Sequence, residues 1–226
     1  MLNLISSMAT RQLLGELALQ WQRRSGQLVS IESVGGVDAL KRVQAVEAFD
    51  GVVLASDAID KLIAGGHVLP GSRVDLVQSS VAVAVRAGEP LPDISTEDAL
   101  RSAIDAAPTI GYSTGPSGVA LVRLFEKWGL LDELQARIVQ APSGVPVGSL
   151  VARGEVALGF QQLSELMGLG GIAVVGTLPE SIAITTIFSA GVCAVSNQPQ
   201  ELGRFLSFLQ SREVADTKLQ YGMQAA

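Results

Sequence analysis

The sequence predicts an α/β protein with two lobes, each a mostly parallel sheet flanked by helices, joined by two long strands that cross between the lobes. Short apolar runs alternate with amphipathic runs at helical spacing, an order typical of parallel sheets covered by helices on both faces. Two apolar runs, at 74–85 and 182–195, are longer than the others and can form the crossing strands. With 226 residues, 48% of them hydrophobic, the chain can bury a core in each of two small lobes.

The crossing strands set the expected lobe boundaries. Lobe one comprises residues 1–82 and 191–226, and lobe two comprises residues 83–190. The chain then begins in lobe one, builds lobe two and returns, so both of its ends are expected in lobe one.

Lobe one is predicted from short apolar strands that each precede a helix. The first helix has Leu13, Leu17 and Trp21 at helical spacing and is expected to end before Gly26. The predicted strands are 2–5, 28–32 and 51–55, and the predicted helices are 10–24, 37–48, 57–64, 202–210 and 214–221.

Lobe two repeats this alternation of strand and helix. Thr96 or Ser95 can cap its first helix, and Gly129 is expected to end its second. The predicted strands are 109–112, 137–140, 156–160 and 172–175, and the predicted helices are 96–106, 118–128, 147–153 and 163–167.

Charge and composition exclude several classes of function. Sixteen basic and 22 acidic residues give a net charge of −6, and aromatic residues are only 4% of the chain, which is opposite to the pattern of nucleic-acid-binding proteins. His67 and Cys193 are the only histidine and cysteine, so we expect no zinc site and no disulfide. We also expect no other metal and no cofactor.

The sequence also bears on location. No run of eighteen apolar residues lacks a glycine or a polar break, so no membrane span is predicted. The first residues contain no basic segment followed by a long apolar one. The expected location is therefore the cytoplasm for the chain as written, or the periplasm if a leader peptide was removed.

The predicted turns between strands and helices contain hydroxyls, glycines and carboxamides but no charged side chain. In parallel sheets, ligands bind beyond the carboxyl ends of the strands, and helix N-termini there can hold an anion without a counter-ion. The serines and glycines also have a second interpretation, as ordinary helix caps and turns. The turns concerned are 6–10, 33–36, 56, 113–118, 143–148 and 161–162.

An ordered set of motifs in these turns and around the long strands resembles a known family, the type II periplasmic substrate-binding proteins, in the molybdate-binding-like branch. The resemblance covers nearly the whole chain, and it is the order of the motifs that makes it specific. The motifs lie at 6–9, 51–56, 58–62, 68–72, 87–90, 92–95, 112–118, 151–155 and 188–191.

The resemblance implies a cleft between two lobes in which serine hydroxyls and main-chain amides hold a small anion and over which the lobes close. It also implies a monomer that delivers its anion to an ABC-type permease if it is exported. By motif position, the implied ligand-binding residues are Ser6, Ser7, Ser33 and Ser56 in the first lobe, and Ser113, Ser117, Val145 and Gln161 in the second.

One departure from the molybdate-binding pattern leaves the ligand open. Gln161 and Gln162 follow the predicted strand 156–160, where molybdate-binding relatives usually have a tyrosine. A carboxamide both donates and accepts hydrogen bonds, which suits a carboxylate or hydroxy acid, and this segment resembles an aconitate isomerase-like branch. Three alternatives remain: a binding protein, an isomerase and a regulatory module. The isomerase needs a group that takes and returns a proton, for which Tyr112 or Glu165 would have to face the cleft.

Overall fold

The computed structural model describes residues 1–226 and divides them into two compact units. Unit 1 contains Met1–Ser79 and Thr186–Ala226, and unit 2 contains Ser80–Thr185. The two division points fall within the long strands β4 (Val74–Arg86) and β9 (Thr185–Val192). The chain therefore enters and leaves unit 2 through these two strands, and the predicted α/β class is confirmed.

Unit 1 is built on a mixed sheet in which β1 (Leu2–Ser7) pairs in parallel with β2 (Val29–Val34) on one side and β3 (Gly51–Ala55) on the other. Strand β9 lies antiparallel beside β3, β4 follows it, and β10 pairs with β4. The elements besides β4 and β9 are β1 (Leu2–Ser7), α1 (Arg11–Ser25), β2 (Val29–Val34), α2 (Gly36–Gln44), β3 (Gly51–Ala55), α3 (Ser56–Ala64), α9 (Pro199–Gln210), α10 (Ala215–Gln220) and β10 (Gln224–Ala225).

Helices cover both faces of this sheet. Neighbouring residues of a strand point to opposite faces, so their contacts show what lies on each side. Leu4 and its neighbour Ile5 belong to different apolar clusters, one containing α1 and α9 and the other containing α2 and α3. On the α1 side, the ring centroid of Trp21 lies 5.9 Å from that of Phe205 and 5.3 Å from that of Phe208. Helices on both faces hold β1 rigidly and so fix the position of its carboxyl end.

Unit 2 also has a mixed sheet, in which β4 is followed by β7 (Leu158–Gln162), β5 (Ile110–Tyr112) and β6 (Ile138–Gln140). Strand β5 pairs in parallel with β6 and β7, whereas β4 is antiparallel to β7 and β8. Its other elements are α4 (Glu97–Ala106), β5 (Ile110–Tyr112), α5 (Pro116–Trp128), α6 (Leu131–Leu134), β6 (Ile138–Gln140), α7 (Val147–Ala152), β7 (Leu158–Gln162), α8 (Leu163–Leu166) and β8 (Ile172–Thr177).

The core of unit 2 lies on both faces of β5 and β7. On one face, Phe125 meets Phe160 edge to face, with ring centroids 6.1 Å apart. On the other face, Val147 and Val151 of α7 belong to a separate cluster. Gly159 of β7 faces α7, and a Cβ added to it would lie only 2.5 Å from a methyl carbon of Val151. The missing side chain lets α7 pack directly on β7.

Four differences between predicted and observed boundaries stand out, and three of them, all strand ends, concern the site. Strands β1, β2 and β7 continue past their apolar residues, so Ser7, Ser33 and Gln161 lie in strands rather than in turns. The helix predicted over 37–48 ends at Gln44, because Val46 adopts a left-handed conformation with φ of 61° and reverses the chain. None of the helices combines the length and the apolar character that a membrane-spanning segment requires.

Candidate functional site

The serines predicted for unit 1 meet at one edge of its sheet. Ser6 of β1 and Ser33 of β2 are register partners at the carboxyl ends of parallel strands, and their Oγ atoms lie 2.7 Å apart. Ser56 begins α3 directly after β3, three residues beyond Val53, which pairs with Ser6. The structure therefore brings these three predicted residues to the same end of three neighbouring strands.

Ser7 has the most informative side chain at this edge. It is only 7% exposed, and its Oγ has no hydrogen-bond partner. Its carbonyl oxygen accepts hydrogen bonds from the hydroxyls of Ser6 and Thr10, at 3.3 and 3.2 Å. A buried hydroxyl without a partner costs about 1–3 kcal/mol, so this group is free to bind a ligand atom.

The first residues of the helices at this edge show whether the serines are helix caps or are available to a ligand. Ser7 precedes the short 3-10 turn Met8–Thr10, yet its side chain makes no capping bond to that turn. The residues that cap α2 and α3 are Gly35 and Ala55, and neither makes a side-chain capping bond. A Cβ on Gly36 would lie 4.0 Å from the Ser7 Cβ, which places the start of α2 beside Ser7. The serines here are thus not helix caps.

In unit 2, Ser113 and Ser117 form a second hydroxyl pair. Ser113 follows β5, Ser117 lies in the first turn of α5, and their Oγ atoms are 3.1 Å apart. The pair depends on Gly118, because a Cβ there would lie 1.7 Å from the Ser113 carbonyl oxygen. The chain after β5 can approach α5 this closely only because residue 118 has no side chain.

Gln161 lies at the same end of the unit 2 sheet. Tyr112 of β5 pairs in parallel with Phe160 of β7, so Ser113 and Gln161 each follow a paired residue on adjacent strands, about 5 Å apart. Gln161 is 2% exposed. Its Oε1 accepts a hydrogen bond of 3.3 Å from the backbone N–H of Gly148 in α7, which fixes the orientation of the carboxamide.

The Gln161 carboxamide also hydrogen-bonds the side chain of Glu165 in α8. Burial raises the pKa of Glu165 to about 7, and the hydrogen bond from Gln161 only partly opposes this rise. Near neutral pH the Glu165 carboxyl is therefore present in both protonated and ionised forms. The sequence alone could not show this, because a helix of four residues has no recognisable apolar face.

Val145 differs from the other predicted residues. Its backbone N–H already donates to the Pro142 carbonyl oxygen at 3.0 Å. Its side chain packs against the apolar cluster that contains Val147 and Val151. The structure therefore leaves the Val145 amide no free hydrogen to offer an anion.

Unit 1 buries a cation that the sequence analysis did not identify. Lys218 of α10 is 3% exposed, and its Nζ donates to the Leu76 carbonyl oxygen at 2.9 Å. It lines a cavity of about 10 Å³ together with Thr10, whose hydroxyl bonds to Ser7. Burial lowers the pKa of Lys218, so a positive charge at this position is energetically disfavoured.

Comparison with known proteins identifies the family. Residues 2–224 match the family model of bacterial extracellular solute-binding proteins. An aconitate isomerase from Pseudomonas sp is 42% identical over 170 residues, which is 75% of this chain, and the alignment spans 64% of that relative's length.

Solved structures share the fold at low sequence identity. The periplasmic molybdate-binding protein of Azotobacter vinelandii has a TM-score of 0.83 and 22% identity, with full coverage of both chains. The sulfate-binding protein SubI from Mycobacterium tuberculosis H37Rv has a TM-score of 0.80 and 15% identity, covering 100% of this chain and 86% of its own. The chain belongs to the family of bacterial extracellular solute-binding proteins and has the fold of type II periplasmic binding proteins.

Proposed function

We propose that this protein binds a small carboxylate anion, a di- or tricarboxylate, through uncharged hydrogen-bond donors. The observation that supports this most directly is the Ser7 hydroxyl, which is buried without a partner beside the Ser6–Ser33 pair. Unit 2 contains a second pair of hydroxyls, those of Ser113 and Ser117, at the carboxyl end of β5.

Uncharged donors are sufficient for useful affinity. A hydrogen bond to a charged group contributes about 1.5–3 kcal/mol, so four of them contribute about 6–12 kcal/mol. Micromolar binding requires about 8 kcal/mol, and association costs are subtracted from the sum. With an association cost of about 4 kcal/mol, the lower end of its range, the hydroxyls of Ser6, Ser7, Ser113 and Ser117 reach micromolar affinity at the upper end of their sum, without a protein cation.

A carboxylate fits these residues better than molybdate or sulfate does. Gln161 lies at the carboxyl end of β7, and its carboxamide both donates and accepts hydrogen bonds. This combination suits the carboxylate and hydroxyl groups of an organic acid better than a bare oxyanion, which only accepts. The 42% identical relative is named as an aconitate isomerase, and aconitate is a tricarboxylate.

A thermal-shift screen tests this specificity. The protein is heated with cis-aconitate, trans-aconitate, citrate, succinate, molybdate and sulfate, each at the same ionic strength. An anion present at 100 times its Kd stabilises the folded state by about 2.7 kcal/mol. We expect a tricarboxylate to raise the melting temperature and molybdate and sulfate to leave it unchanged. Stabilisation by molybdate or sulfate alone would contradict the proposal.

A second candidate function is an isomerase that moves a double bond within aconitate. The observation that favours it is Glu165, which can accept and return a proton near neutral pH. Incubating the protein with trans-aconitate and following cis-aconitate by chromatography separates the candidates. Formation of cis-aconitate supports the enzyme. Binding without conversion supports a receptor, which we propose would act in the periplasm and deliver its anion to an ABC-type permease.

A further inference from the structure

We propose that Thr10 is a positioning residue for ligand binding: its buried hydroxyl fixes the peptide that follows Ser7, and with it the place of the Ser7 hydroxyl that binds the carboxylate. This inference rests on the carboxylate binding proposed above and adds a residue that acts through Ser7 rather than on the ligand itself. Thr10 ends the 3-10 turn Met8–Thr10 and directly precedes α1.

The Thr10 hydroxyl does not cap its own helix. Thr10 occupies the N-cap position of α1, where a threonine oxygen ordinarily accepts a hydrogen bond from the first turn of the helix. Its side chain makes no such bond, and its Oγ1 donates instead to the Ser7 carbonyl oxygen at 3.2 Å. Thr96, at the same position before α4, accepts from the Ala99 N–H in the ordinary way. The Thr10 hydroxyl is therefore directed at Ser7 where a cap is the usual role.

Helix α1 also lacks the other groups that usually stabilise a helix N-terminus. Its first turn contains no acidic residue and begins with Arg11, whereas the positive end of the helix dipole favours negative groups. A capping bond from Thr10 would stabilise α1 directly. The structure forgoes that bond and keeps the one to Ser7, which indicates that the hydroxyl serves the position of Ser7.

Water does not readily replace this hydroxyl. Thr10 is 0% exposed, and the cavity beside it has a volume of only about 10 Å³, at the lower limit of what one water molecule needs. The lining of that cavity is mostly apolar, and the Nζ of Lys218, its one charged group, donates to the Leu76 carbonyl oxygen. Removing the Thr10 hydroxyl therefore leaves this side of the Ser7 carbonyl without a donor.

Ser6 is the other donor to the Ser7 carbonyl oxygen, but its hydroxyl has competing partners. Its Oγ lies 3.3 Å from that carbonyl oxygen and 2.7 Å from the Ser33 Oγ. A hydroxyl has a single hydrogen, so Ser6 can direct it to the carbonyl, to Ser33 or to a bound carboxylate, one at a time. When Ser6 donates to the ligand, Thr10 is the hydroxyl that remains on the Ser7 carbonyl.

The position of the Ser7 hydroxyl depends on its backbone. The Ser7 Oγ has no hydrogen bond of its own that would orient it. Ser7 is extended, with φ of −71° and ψ of 158°, and the 3-10 turn begins at the next residue, so the chain changes direction at the peptide that Thr10 holds. A carbonyl oxygen turned toward a bound carboxylate would repel it. The bond from Thr10 restrains that rotation and keeps Ser7 in the form that presents its hydroxyl.

The experiment is a double-mutant cycle between Thr10 and Ser7. Thr10→Val and Thr10→Ala remove the hydroxyl, so a measurement is available if one of the two does not fold, and Thr10→Ser keeps it. Each hydroxyl-free change is made in wild type and in Ser7→Ala. Thr177→Val, at an exposed threonine of β8, is the control. Calorimetric titration with trans-aconitate gives the Kd, and urea unfolding gives the stability of every variant.

We expect Thr10→Val and Thr10→Ala to weaken trans-aconitate binding by about 3- to 10-fold. Thr10→Ser should restore the affinity, and Thr177→Val should leave it unchanged. In the Ser7→Ala background the same changes at Thr10 should alter the Kd by less than about twofold, because two residues that act as one unit are not additive. A merely structural role of Thr10 would lower the stability of both backgrounds and weaken binding equally in both.

Two sets of results would overturn the inference, and they are distinguishable. If wild type does not bind trans-aconitate, or Ser7→Ala binds it as tightly as wild type, the proposed role of Ser7 in carboxylate binding is wrong and that of Thr10 falls with it. If Ser7→Ala binds more weakly while the hydroxyl-free variants of Thr10 bind normally, or weaken binding equally in both backgrounds, the carboxylate site stands and Thr10 does not position it.

Discussion

Replacing Gly118 with alanine tests whether the close approach of the chain to α5 creates the unit 2 hydroxyl pair. A Cβ at this position would lie 1.7 Å from the Ser113 carbonyl oxygen and 2.8 Å from its carbonyl carbon. Cβ atoms essentially never lie closer than 3.0 Å to another non-bonded heavy atom. Because both neighbouring atoms belong to the backbone, no side-chain rotation can relieve the contact, and the chain after β5 has to move.

The size of the effect follows from this displacement. Overpacking that forces the backbone to shift costs about 1–3 kcal/mol. The shift also moves Ser113, whose Oγ lies 3.1 Å from that of Ser117, so the anion loses at least one well-placed donor. At about 1.5–3 kcal/mol per hydrogen bond to a charged group, we expect the affinity for trans-aconitate to fall by about 10- to 100-fold.

Gly115→Ala is the matched control, in the same turn and with the same atoms added. Gly115 has φ of −78° and ψ of −175°, which alanine adopts without strain, and its nearest neighbour is the Ser113 Oγ at 3.7 Å. The free energy of unfolding of Gly115→Ala should stay within about 0.5 kcal/mol of wild type. Urea unfolding followed by circular dichroism, and calorimetric titration with trans-aconitate, measure both variants. Equal stability and equal affinity of the two variants would refute the argument.

Two further predictions concern buried groups of unit 1. Ser7→Ala removes a buried hydroxyl that has no hydrogen-bond partner. The free energy of unfolding should therefore be unchanged or higher, while the affinity for trans-aconitate falls about tenfold or more. A loss of stability above about 1 kcal/mol would show instead that the hydroxyl stabilises the fold. Burial lowers the pKa of Lys218 below its unfolded value of 10.5, so the unfolded state binds more protons between the two pKa values and stability should rise with pH in that interval. Lys218→Met should abolish that rise in urea unfolding at a series of alkaline pH values, and a pH dependence identical to wild type would contradict the prediction.

The sequence predicted the order of strands and helices well, because alternating apolar periods and glycine stops are local signals. It predicted strand ends less well. A strand continues as long as its backbone groups pair, whatever the side chains are, so β1, β2 and β7 extend through polar residues. This moved Ser7, Ser33 and Gln161 from the predicted turns into the strands without removing them from the carboxyl edge.

The site was predictable only in part. Parallel strands place their carboxyl ends at one edge, so the meeting of Ser6 with Ser33 could be inferred from the strand order. The missing partner of Ser7, the contact between Gln161 and Glu165, and the occupied amide of Val145 depend on the packing of residues that are distant in the sequence or on turn geometry. None of these leaves a local pattern in the chain.

The most direct test of the account is a calorimetric titration of trans-aconitate into wild type, Ser6→Ala, Ser117→Ala and the double variant. Ser207→Ala serves as a control, because its hydroxyl is exposed and donates only to a carbonyl in its own helix. If uncharged hydroxyls hold the carboxylate ligand, each single variant should bind about tenfold more weakly or worse, and the double variant at least about 100-fold more weakly. Wild-type affinity in the double variant would contradict the account.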